Sequence, residues 1–213
     1  NTIAKCGADI IEIGMPFSDP MADGPIIQTS SQRAIKKNIN LDKIFLICNS
    51  FRETNKVTPI ILMGYYNPIL HYGINKFIKK CVKYGVDGII IVDLQPEDDD
   101  HLFKLSKKNN IEFIRLITPT TNSSRFNKIK SSASGFLYYV SVTGITGQKS
   151  AKISVLKNSI KKLKNKTKLP ILVGFGINNP NQAYNISKFS DGVVVGSAIV
   201  KIIEDHNFDN IKR

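Results

Sequence analysis

The stretch DIIEIGMPFSDPMADGP, Asp9 to Pro25, sets a glutamate inside an apolar run and follows it with a loop punctuated by proline, aspartate and glycine. The run is short, rich in isoleucine and bounded by Gly14 and Pro16, which reads as a buried strand. No G-x-G-x-x-G follows it, so the strand-to-loop step lacks the fingerprint of a dinucleotide-binding sheet. Side chains alternate along a strand, which puts Ile10, Glu12 and Gly14 on one face and Ile11 and Ile13 on the other. If Ile11 and Ile13 pack under helices, Glu12 projects from the opposite face. A carboxylate among isoleucines loses hydration, so its pKa rises toward the range useful for proton exchange near neutral pH. The alternative is a glutamate paired with a buried Lys or Arg. Asp19 and Asp23 stand on the loop, where an aspartate ordinarily makes a turn or a helix cap.

Similar apolar runs recur along the chain: PIILMGY (59–65), GIIIVD (88–93), IEFIRLIT (111–118), GFLYYVS (135–141), PILVGFG (170–176) and DGVVVG (191–196). Between them lie segments with apolar residues at helical spacing, such as LDKIFLICNSFRETN and DDDHLFKLSKKNN. Alternation of strand and helix predicts a parallel sheet covered by helices. Several of the runs are apolar on both faces, as strands buried on both sides are. With the Rossmann signature missing, the expected fold is an α/β TIM barrel of the (β/α)8 type, with seven of its eight strands in these residues. The opening NTIAKCGAD reads as the last turns of a helix closing on Gly7. An earlier strand, and a further helix after FDNIKR, are therefore expected in a complete barrel of about 250 residues. No linker or low-complexity tract interrupts residues 1–213, which read as a single TIM-barrel domain.

The 213 residues are 42% hydrophobic, enough for a sizeable core. No apolar run approaches the roughly 18 residues of a membrane span, and the first residues lack a basic leader, so a cytoplasmic protein with no membrane attachment is expected. The three cysteines at 6, 48 and 81 are widely spaced and read as reduced thiols. The formal charge of +13 raises the question of nucleic acid. The lysines, however, lie in segments that read as amphipathic helices, such as INKFIKKCVKYG, where they form solvated outer faces. No nucleic-acid partner is expected.

Two other places put unusual chemistry at strand ends, where the reactive groups of such barrels lie. YYVSVTGITGQKS (138–150) runs from a strand into a Thr/Gly-rich loop able to close over a ligand. VGFGIN (173–178) and VVVGSAI (193–199) place glycines where backbone amides can approach an anion, and GSAIV begins a helix whose free N–H groups suit a phosphate. His71, His101 and His206 have no metal-ligand spacing. The acids of EDDD (97–100) sit at a helix start, where the macrodipole favours them. No strand-end lysine offers a Schiff base, and no G-x-S-x-G elbow is present.

IEIGMPFSDPMADGPIIQ (11–28), SVTGITG (141–147), VGFGI (173–177) and GSAIVKII (196–203) together resemble the α subunit of tryptophan synthase. The resemblance runs through the whole chain in order, and its first motif separates it from other phosphate-binding barrels such as indole-3-glycerol-phosphate synthase. It implies cleavage of indole-3-glycerol phosphate to indole and glyceraldehyde 3-phosphate, with Glu12 and Asp23 as the catalytic acids and Tyr138 close to them. Thr146 would be the lid residue that orders Asp23. Gly147, Gly176, Gly196 and Ser197 match phosphate-binding positions, and Phe175, Met63, Ile27, Ile90 and Val92 would line the indole slot. The resemblance further implies no cofactor or metal in this chain, and a β subunit carrying pyridoxal phosphate as partner in an α2β2 heterotetramer.

Overall fold

The computed structural model describes residues 1–141, 149–174 and 176–205. They form two compact units, Asn1–Arg115 and Leu116–Arg213. In the first unit a short helix α1 (Thr2–Lys5) ends at Gly7, whose φ of +93° is the left-handed conformation that glycine adopts without strain. Strand β1 (Ile11–Gly14) leads through the acid-bearing loop to α2 (Pro25–Lys36) and α3 (Leu41–Thr54). Then come β2 (Ile60–Gly64), α4 (Tyr66–Tyr72), α5 (Ile74–Lys83), β3 (Gly88–Ile91), α6 (Asp100–Lys108) and β4 (Glu112–Ile117), whose last two residues belong to the second unit. The strands pair in parallel and in sequence order, with Glu12 beside Ile61, Met63 beside Ile90 and Ile90 beside Ile114.

Alternation along these strands divides the isoleucines between two faces. Ile60, Leu62, Ile89, Ile91 and Phe113 belong to one buried cluster with Phe45, Phe51, Phe77 and Ile78 of α3 and α5, and Ile11 and Ile13 pack against it. Ile61, Ile90 and Ile114 are equally buried but lie outside that cluster, on the opposite face. Gly88 is needed on that face. A Cβ there would stand 2.8 Å from the Cδ1 atoms of both Ile61 and Ile114, so these side chains close over the glycine. Strands apolar on both sides are thus explained by two packed faces in this unit.

The second unit holds α7 (Ser123–Ser131), β5 (Leu137–Val140), α8 (Lys149–Lys164), β6 (Ile171–Gly174), α9 (Pro180–Ser187), β7 (Gly192–Val193) and α10 (Ser197–Asp205). Its strands are parallel in the order β5-β6-β7, and its core joins Phe126, Leu137, Tyr139, Ile160, Ile171 and Val173. All seven expected strands are present, each shorter than its apolar run. Asn40, Asn122 and Asn179 cap α3, α7 and α9 by accepting backbone N–H bonds, which accounts for where these helices begin.

Both units start strands with one device. Asp87, just before β3, accepts the N–H of Ile60 at 2.7 Å and pairs with Arg52. Asp191, just before β7, accepts the N–H of Ile171 at 2.8 Å and pairs with Lys164. In each case a Pro-Ile strand start is held in register by the Asp-Gly that opens the next strand, which satisfies an N–H left over at the sheet edge.

The acids of 97–100 do more than face a macrodipole. Asp99 is the N-cap of α6, accepting from the N–H of Phe103 at 3.1 Å, and it is buried in an ion pair with Arg115. Arg115 also donates to the carbonyl of Leu94 at 2.9 Å and lies 4.2 Å from the ring centroid of Phe113. Among the described residues no three acids, cysteines or histidines gather as a metal site, and no helix is long and apolar enough to cross a membrane. Cys48 and Cys81 are buried and Cys6 is exposed, all as free thiols.

Candidate functional site

Glu12 occupies the face of β1 opposite the helices. Ile11 and Ile13 turn into the helix-side core, so alternation sends Glu12 toward Ile61, its neighbour on β2. Loss of hydration there pushes its carboxyl up to about 7, and desolvation is the sole cause. Among the described residues no Lys, Arg or His pairs with it. Two residues on, Gly14 is exposed, and a Cβ there would meet nothing within 4 Å. The glutamate therefore stands below an open strand end. Met63, registered with Gly14 on β2, and Ile90, registered with Met63 on β3, lie on the same face of the sheet as Glu12. Val92 continues β3, its N–H bonded to the carbonyl of Gly64 at 3.0 Å. Ile27 lies half-buried in the first turn of α2.

Asp23 is held by partners that no local pattern signals. The hydroxyl of Tyr65, one residue past β2, donates to Asp23 Oδ2 at 3.0 Å and accepts the N–H of Ala22 at 2.9 Å. Gln28 donates through Nε2 to the carbonyl of Asp23 at 2.9 Å. Asp23 is not the helix cap, since Gly24 holds the N-cap position of α2. Partial burial raises the pKa of Asp23 and the Tyr65 hydrogen bond lowers it, with a net shift upward. Tyr65, itself buried, is pushed up to about 12, so its hydroxyl keeps the proton it donates. No local sequence pattern singles out Tyr65. Its one signal was its place, an aromatic hydroxyl immediately after a strand's C-terminal end.

In the second unit Tyr138 is buried on β5, and a Cβ on Gly174 would fall 2.3 Å from its hydroxyl oxygen. Glycine at 174 is what lets the ring lie across β6. Gly176 has a φ of +79°, which only glycine adopts freely. Gly196 and Ser197 stand exposed at the start of α10, with the carbonyl of Gly196 accepting the N–H of Val200 at 3.1 Å. A Cβ at Gly196 would also meet nothing within 4 Å. The nine-residue helix behind it presents N–H groups at that end, the geometry that suits an anion. Thr146, Gly147 and Phe175 lie outside the described residues.

The model of the tryptophan synthase alpha chain family matches residues 1–213. The chain belongs to that family. It is 45% identical over 210 residues to the tryptophan synthase alpha chain of Geotalea uraniireducens, covering 99% of this chain and 78% of that protein. Among solved structures, tryptophan synthase subunit alpha from Legionella pneumophila superposes with a TM-score of 0.90 at 41% identity, covering 97% of this chain and 76% of that one. The tryptophan synthase complex from Pyrococcus furiosus contains a chain that superposes at a TM-score of 0.87 and 33% identity, with 99% and 85% covered. The fold class is accordingly the α/β TIM barrel of the tryptophan synthase alpha chains, with seven of its strands in this chain.

Proposed function

We propose that this protein cleaves indole-3-glycerol phosphate to indole and glyceraldehyde 3-phosphate. The observation that carries the reading is Glu12, a dehydrated carboxyl at a strand end whose pKa of about 7 lets it both give and take a proton at physiological pH. The bond between indole C3 and the glycerol chain resists cleavage while the ring is aromatic, because C3 would leave as a carbanion. Protonation of C3 removes that obstacle. The C3–C1′ electron pair then returns to the ring as the bond breaks, restoring aromaticity, while the C1′ hydroxyl loses its proton and becomes the aldehyde. Glu12 serves both transfers.

Asp23 accepts a hydrogen bond from the indole N1–H and stabilises the positive charge that the ring carries after protonation. An ionised carboxylate suits that role better than a protonated one, and the Tyr65 hydrogen bond favours the ionised form against the larger upward pull of burial. Met63, Ile90, Val92, Ile27 and Phe175 supply apolar surface to the ring. By family membership Gly176, Gly196, Ser197 and Gly147 are assigned to the phosphate, and Thr146 and Tyr138 to the support of the catalytic acids. The chain needs no cofactor of its own and works with a β subunit that carries pyridoxal phosphate, as an α2β2 assembly in the cytoplasm. The family membership and the solved tryptophan synthase complex of a relative support a partner subunit. The direct test is indole release from indole-3-glycerol phosphate by the full-length protein, and its absence with and without β subunit would refute the reading.

The phosphate assignment has its own test. Gly196→Asp adds a side chain into open space at a position without positive φ, so folding should be unaffected. The carboxylate would repel the phosphate from the end of α10 and raise KM by about tenfold or more, with little change in kcat. An equal rise for indole-3-glycerol lacking its phosphate would show that Gly196 acts otherwise.

A further inference from the structure

The loop that carries Asp23 is fastened at its beginning as well as at its end. Ser31, on the second turn of α2, accepts the N–H of Phe17 at 2.9 Å and donates its own proton to the carbonyl of Phe17 at 2.9 Å. One hydroxyl thus serves both backbone groups of a loop residue, as a neighbouring strand would. With its backbone so held, Phe17 lays its ring against Tyr65, centroids 5.3 Å apart and planes tilted by 36°. Tyr65 in turn holds Ala22 and Asp23 through its hydroxyl. The contacts form an unbroken path from Ser31 through Phe17 and Tyr65 to the carboxylate of Asp23.

From this path we infer that Ser31 is a positioning residue: its hydroxyl sets the orientation of Asp23 through the Phe17 and Tyr65 rings. The inference rests on the lyase reading for its catalytic consequence, though not for its structural one. A ring as large as tyrosine, buried on one side by its strand, keeps its hydroxyl in one place only if its other face is also packed. Phe17 is that packing, and it comes from an otherwise half-exposed loop. Chain connectivity alone does not fix Phe17, because the loop contains two prolines but no regular structure between Met15 and Pro25. The hydroxyl of Ser31 supplies what the loop lacks.

The test compares Ser31→Ala with Ser31→Thr in the full-length protein. Ser31→Ala should lower kcat for indole release about tenfold, the scale of one or two lost hydrogen bonds, and leave KM within about twofold. Ser31→Thr keeps the hydroxyl and should restore most of the loss. In a Tyr65→Phe background the path is already cut at the hydroxyl, so Ser31→Ala should then cost less than about twofold. A full tenfold loss in that background would overturn the inference, as would a Ser31→Ala enzyme with wild-type kcat. Amide hydrogen exchange gives a readout independent of catalysis. Ala22, five residues from the altered contact, should exchange at least about tenfold faster in Ser31→Ala and at the wild-type rate in Ser31→Thr, while the β2 amides stay unchanged. An unaltered Ala22 amide in Ser31→Ala would overturn the inference even if the protein proved to cleave a different substrate, whereas accelerated Ala22 exchange without indole release would refute the lyase reading alone.

Discussion

Glu12→Gln should lower indole release from indole-3-glycerol phosphate by at least about a hundredfold, the scale expected for loss of a general acid-base group. The same substitution should make the protein more stable above neutral pH. The folded-state pKa of Glu12 is about 7 against 4.5 for an unperturbed glutamate, so the folded chain binds the proton more tightly. Its contribution to stability is therefore fully present below about pH 4.5 and is lost as the pH rises through 7. Above pH 7 the burial of the charged form costs on the order of 3 kcal/mol, a cost that the neutral amide avoids. Urea unfolding of both proteins at pH 4 and pH 8.5 would show curves that nearly coincide at the lower pH and separate at the higher. Equal stability at pH 8.5 would mean that Glu12 is not dehydrated as described, and near-normal activity would remove it from the mechanism. Asp23→Asn should show the loss of activity to a similar degree without the stability gain, because Tyr65 already offsets part of the desolvation of Asp23.

Arg115→Met should destabilise the fold by about 3–5 kcal/mol, because it withdraws a guanidinium from a buried carboxylate. Asp99 is 3% exposed and Arg115 4%, so water cannot replace the lost partner without opening the structure. A loss of that size consumes much of the roughly 5–15 kcal/mol that holds a domain together. Adding Asp99→Asn to Arg115→Met removes the buried charge and should recover part of the stability, since the asparagine oxygen can still cap Phe103. Denaturant midpoints of the two variants decide the matter. A loss under about 1 kcal/mol for Arg115→Met would show that the pair is hydrated or readily replaced.

The strands and the face of Glu12 were legible in the sequence because they depend on local periodicity. Short isoleucine-rich runs bounded by glycine and proline can be read without knowing what they touch, and a two-residue period assigns Glu12 to the face opposite Ile11 and Ile13. The rise in its pKa followed from the same neighbours. The helix start at Ser197 was legible for a similar reason, since the Gly-Ser step after an apolar strand marks the boundary. The four-acid run at 97–100 was only half legible: a helix start was evident, yet Asp99 as a buried cap could not be told from its exposed neighbours until Arg115 was placed against it.

By itself the sequence determined which residue types stand at the strand ends, and through their order the family to which the chain belongs. Only the tertiary structure decided what holds the second acid. Asp23 and Tyr65 are 42 positions apart, and Ser31 and Phe17 are 14 apart. No periodicity links such pairs. Tyr65 reads as one more aromatic residue after a strand, and Ser31 as one of two adjacent serines in an amphipathic helix. Their roles arise because parallel pairing of β1 and β2 sets the end of one strand beside the loop leaving the other, and because α2 folds back along that loop. A hydrogen bond is short-ranged and directional, so its partners are fixed by where the chain returns in space rather than by what stands next to them along it.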